Sequence, residues 1–130
     1  MITRIVDLWK RIGTTLHPRV ANDSVDLGTG TLTSGGVKSG AATIDDTDSP
    51  YTVLVSDYTL ICDSEDGNIN INLPACDGGG RILNIKKIHE NNTVTITPDG
   101  TDTIDGEATW DVDIKYENIQ IQDVGFWAIL

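Results

Sequence analysis

Asp102, Asp105 and Glu107 stand close together in a turn-rich stretch, and they are the acids of this sequence most suggestive of chemistry. A pair of carboxylates flanking a sugar bond is what glycoside hydrolysis requires. The chain holds 20 acids among 130 residues, so three in one turn is weak evidence. Asp-Gly is also first of all a turn signal. "DSEDGN" (Asp63 to Asn68) and "DGTDTIDGE" (Asp99 to Glu107) have the composition of calcium loops. Neither has the ligand spacing of an EF-hand, and the second lacks the paired glycines of nonapeptide repeats. His17 precedes Pro18 and His89 lies in a polar turn. No nucleophile elbow, zinc-protease pair or phosphate loop occurs. Cys62 lies on the alternation of "YTLIC" and reads as a small buried apolar residue. The expectation is a protein that is not an enzyme and has no cofactor or metal.

Binding is the other chemistry the residue types allow. "NININ" places Asn68, Asn70 and Asn72 between isoleucines, and "NIQIQ" does the same with Asn118, Gln120 and Gln122. Both are strand patterns with an apolar face and an amide face. Amides both donate and accept, so they suit sugar hydroxyls, with Trp110 as the best exposed aromatic candidate. They also suit a face that meets its own copy, where repeated like charges would repel. The second use is the expectation here.

The elements that must carry these faces fall into three regions. Residues 1–20 hold Arg4, Lys10, Arg11 and Arg19 against Asp7, a net charge of +3, which leaves −14 on the rest of a chain of net charge −11. Ile2, Ile5, Val6, Trp9, Ile12 and Leu16 recur at steps of three and four, which predicts a short amphipathic helix ended by Pro18. Residues 21–50 are rich in Gly, Ser, Thr and Asp and read as an extended linker. Residues 51–130 alternate with a period of two between turn signals, which predicts an all-β domain, an antiparallel β-sandwich or jelly-roll-like fold. Its inward residues should include Val53, Val55, Leu60, Ile69, Ile71, Leu73, Ile85, Val94, Ile96, Ile104, Ile119, Ile121 and Trp127. The acidic body repels phosphate backbones and anionic lipid, so neither nucleic acid nor membrane is an expected partner. No signal peptide or apolar span is visible, which points to assembly in a cytoplasm with both cysteines reduced.

The order of short motifs in residues 49–130 resembles a β domain of bacteriophage virion proteins. Asp57-Tyr58, Leu73-Pro74, Gly80-Arg81, Ile85-Lys86, Val94 and Ile96, Ile104-Asp105-Gly106, and Gly125 with Trp127 carry the likeness. This chain departs at its end, with Val124 at the family's Asp and Phe126 inserted. The resemblance implies tail fibres, head fibres or capsid-surface proteins, commonly trimers, with no catalytic residues. The expected protein is then a homotrimer on the virion, a capsid decoration or head-fibre subunit. Ile2, Ile5, Val6, Trp9, Lys10, Arg11, Ile12 and Leu16 would attach it to another virion protein. A short tail fibre or fibre adaptor, and a module recognising host surface carbohydrate, are the alternatives.

Overall fold

The computed structural model describes Trp9–Ile12, Thr15–Pro18 and residues 39–130. The chain divides into two units, Met1–Val37 and Lys38–Leu130. In the first, Trp9–Ile12 (β1) and Thr15–Pro18 (β2) pair antiparallel, Trp9 opposite Pro18 and Ile12 opposite Thr15. The apolar spacing predicts helix for these residues; their backbone forms a strand ladder instead. Ile12 and Thr15 are β-branched, Gly13 is a poor helix former, and only Gly13 and Thr14 separate the strands in sequence. Those features favour a hairpin over one helical turn more. Ile2, Ile5 and Val6 of the expected helix, and most of the expected linker, lie outside the described residues.

The second unit is built of β-strands and their connections, with one 3-10 turn at Asp46–Asp48. Its strands are Ala41–Asp45 (β3), Tyr51–Thr52 (β4), Thr59–Asp63 (β5), Ile69–Asn72 (β6), Ile82–Lys87 (β7), Val94–Thr97 (β8), Trp110–Val112 (β9), Asn118–Asp123 (β10) and Trp127–Ile129 (β11). They form a five-stranded sheet, β11-β10-β7-β5-β3, and a four-stranded sheet, β4-β6-β8-β9. From β3 to β8 the chain changes sheet at every strand, and each strand lies parallel to the one two before it. The result is a flattened coil of three turns. β9, β10 and β11 then close it with antiparallel pairs. The expected antiparallel sandwich is thus corrected to two mixed sheets. Parallel neighbours need a long crossover; here a strand of the facing sheet supplies it.

Coiling stacks like on like. Ala42, Leu60, Ile85 and Ile119 form one inward row across the larger sheet. Tyr51, Ile71, Ile96 and Trp110 form another across the smaller sheet. The apolar residues of both sheets meet in one core, with Trp127 fully buried. Every expected inward residue is buried except Val55, which is 95% exposed. The strand at Tyr51 ends early because Asp57 pulls the chain into a turn. Its carboxylate accepts from Leu54 N at 2.8 Å and from the Tyr51 hydroxyl at 2.9 Å, leaving Val55 at the apex. The core also takes Ile44, Leu83 and Val112. Ile44 lies on β3, so the sheet begins within the stretch read as linker, before residue 51.

Candidate functional site

The two amide stretches lie on different sheets. "NININ" supplies β6 and "NIQIQ" supplies β10. Their isoleucines enter the core from opposite sides, so the amides line opposite outer faces. Register explains why the amides are uncharged. In-register strands set equivalent side chains about 4.8 Å apart, where stacked like charges would repel. Gln120 Nε2 donates to Asn84 Oδ1 of the paired strand at 2.7 Å. Thr97 Oγ1 donates to Asn70 Oδ1 at 2.9 Å, and Asn70 Nδ2 donates to Asn72 Oδ1 at 3.2 Å. Gln122 Nε2 reaches Gly80 O at 3.1 Å, and Asn68 Oδ1 accepts from Thr93 N at 2.8 Å. Asn118, at the start of β10, is exposed. Trp110, the aromatic candidate for the sugar-binding alternative, is half-buried and packs against the core.

The connections collect at the two ends of the coil. One end gathers the segments after β4, β6, β8 and β10. Asp123 governs it. Its carboxylate is 3% exposed and accepts from Asp77 N at 2.9 Å and from Gly78 N and Gly125 N at 3.0 Å each. Burial pushes its pKa up, but the backbone N–H groups of Asp77, Gly125 and Gly78 outweigh that and hold the carboxyl at about 2. Gly78 and Gly125 have φ of +72° and +96°, conformations that an L side chain would strain. Asp102 accepts from Cys76 N at 2.7 Å, and Asp105 from Ile129 N at 3.2 Å. Glu107 closes a tight turn with Ile104 through two backbone bonds of 2.9 and 2.8 Å. The Cys76 thiol is pushed up to about 12 by burial and by the charges of Asp123 and Asp102. Burial does the same to Cys62. Both thiols are unpaired.

Arg81 completes this end by donating from Nη2 to Leu54 O and, at 3.2 Å, to Asp57 O. Between these loops lies a cleft of about 270 Å³ lined by Val55, Pro74, Ala75, Asp77, Gly79, Arg81, Asp123 and Trp127. Leu54, Val124 and Phe126 are also exposed at this end. Asp57, Gly80, Arg81, Asp105, Gly106 and Gly125 lie in the connections at this end, and buried Trp127 begins β11 beside them.

The opposite end gathers the segments after β3, β5, β7 and β9. Ser64 Oγ donates to Asn91 O at 2.7 Å, and Asn92 Nδ2 to Ser64 O at 2.9 Å. Fully buried Lys87 gives its ammonium to the carbonyls of His89 and Asn91. These bonds bring Asp63, Glu65 and His89 together, with ligand atoms within 4.8 Å of one another. Sequence reasoning placed these three in two separate turns. The only signal was the coil register, which sets Cys62 opposite Lys87 and so brings the following turns side by side.

Trp9, Lys10, Arg11 and Ile12 of the expected attachment set fall on β1, and Leu16 falls on β2. No family model, curated protein or solved structure matches the chain.

Proposed function

We propose that the chain is a non-enzymatic structural protein of a bacteriophage virion. It is a homotrimeric capsid decoration or head-fibre subunit, displayed on the particle surface and attached through residues 1–20 to another virion protein. The observation that carries this reading is the use of carboxylates at the cleft end. Asp57, Asp102 and Asp123 each accept from backbone N–H groups of the loops, and Asp105 accepts from Ile129 N of β11, so these carboxylates act as clamps on the fold. The charge division adds support: a segment of +3 precedes a body of −14. Such a segment suits an acidic acceptor surface, whereas its three copies repel one another. The resemblance over residues 49–130 points the same way.

In this reading at least one of the two amide faces, Asn68, Asn70 and Asn72 on one sheet or Asn118, Gln120 and Gln122 on the other, meets another copy without like-charge repulsion. Deleting residues 1–20 tests the attachment. The truncated protein is expected to fold and stay soluble but to be missing from purified particles. Incorporation at the normal copy number would contradict the reading.

A further inference from the structure

We propose that Asp63, Glu65 and His89 form a binding site for one divalent cation of the zinc class. The inference is independent of the virion reading. One imidazole and two carboxylates make a donor set for a borderline ion, with water in the fourth position. Calcium and magnesium favour an all-oxygen shell of more ligands.

The spacing fits. His89 Nε2 lies 3.5 Å from Glu65 Oε2. Two ligand atoms at zinc distances and tetrahedral angles stand about 3.4 Å apart. All three ligand atoms lie within 4.8 Å of one another, and Glu65 is exposed and able to adjust. Asp63 Oδ1 accepts from Glu65 N at 3.3 Å, which orients the group and leaves its other oxygen for the ion.

Charge supports a cation here. Among the described residues, neither Asp63 nor Glu65 has a lysine or arginine partner; the one ion pair is His89 with Glu65. Lys87 is the basic residue nearest in sequence to His89, and its ammonium is held by the carbonyls of His89 and Asn91. The two loops are fixed by Ser64, Asn92 and Lys87, whose hydrogen bonds hold the three side chains near one another. Side chains held this close in advance lower the ordering cost of binding. A bound ion would join the β5–β6 connection to the β7–β8 connection, linking successive turns of the coil.

Full-length protein, stripped with a chelator and titrated with zinc chloride in a calorimeter, tests the site. One ion per chain is expected, with a rise in melting temperature. Even an outer-shell partner is typically worth roughly tenfold in affinity, so losing a ligand through His89→Gln or Asp63→Asn should cost at least that. His17→Gln should change nothing. No saturable binding at millimolar zinc, or binding that survives His89→Gln, would overturn the proposal. So would calcium binding as tightly as zinc. If the variants do not fold, ring signals of the two histidines in unaltered protein decide the matter. Zinc should move the His89 signal alone; movement of neither, or of His17 alone, refutes the site.

Discussion

The two ends of the fold set their carboxylates differently: at the cleft end buried Asp123 collects three backbone N–H groups, whereas Asp45, Asp48, Asp63 and Glu117 at the other end are not buried and each takes one. At the cleft end, aspartates are acceptors for backbone N–H groups that the loops leave unpaired. Asp123 takes three of them, from Asp77, Gly78 and Gly125. At the other end, amides, a hydroxyl and a buried ammonium hold the turns, through Asn92, Ser64 and Lys87. Asp63 and Glu65 there keep oxygen atoms available to an ion. The difference teaches that the identity of an acid says little about its job. What decides is how deeply it is buried and how many backbone donors converge on it. Gly-rich loops with positive φ point their N–H groups inward and recruit a carboxylate.

Asp123→Asn should show the largest effect. The amide replaces one acceptor oxygen with a donor, so at least one buried N–H loses its partner and the charge-assisted bonds weaken. A loss of about 3 kcal/mol is expected in urea unfolding. The pH dependence carries a sign. The folded pKa of Asp123 lies below the ordinary value near 3.9, so its contribution is complete above that value and is lost as pH falls through about 2. The variant should lack that part of the acid limb. Equal acid sensitivity in both proteins would remove Asp123 from its role.

Asp57→Ala sharpens the comparison at the same end. It leaves Leu54 N and the Tyr51 hydroxyl without their acceptor and should cost about 1–2 kcal/mol. The Tyr51 pKa, raised to about 12 by burial and then by Asp57, should fall toward the ordinary tyrosine range. Absorbance titration of the phenolate reads it. Asn70→Asp tests the outer face, where a charge would sit in the row with Thr95 and Asp111. Destabilisation of about 0.5–1 kcal/mol is expected. The proposed trimer should weaken more at low salt, where screening is poor, which sedimentation would detect. At the opposite end, Glu65→Gln in metal-free protein should change stability by no more than about 0.5 kcal/mol, because Glu65 is exposed and half-buried His89 is its one ionic partner among the described residues. A loss as large as that of Asp123→Asn would erase the contrast between the ends.

Much of the core was legible because alternation in "NININL" or "VTIT" fixes which residues share a face. The coil was not. Its register offset is 18 residues from Ala41 to Thr59 but 25 from Thr59 to Asn84, so no constant repeat exists to find. β3 was hidden because "AATID" offers a single large apolar residue, Ile44, to the core. Val55 fits the alternation and is nonetheless exposed, because a side chain two residues on diverts the backbone. The clamp at Asp123 joins residues 46 positions apart in sequence, beyond any local pattern. The hairpin of Trp9–Ile12 and Thr15–Pro18 shows the limit of a short apolar stripe, which fits a helix and a strand pair alike.

Imaging an intact phage particle at a resolution that traces chains tests the central claim most directly. The account predicts copies in threes on the outer surface, with residues 1–20 against an acidic patch of the shell and the Lys38–Leu130 unit outward. A particle that forms and matures without the chain in its density would contradict it.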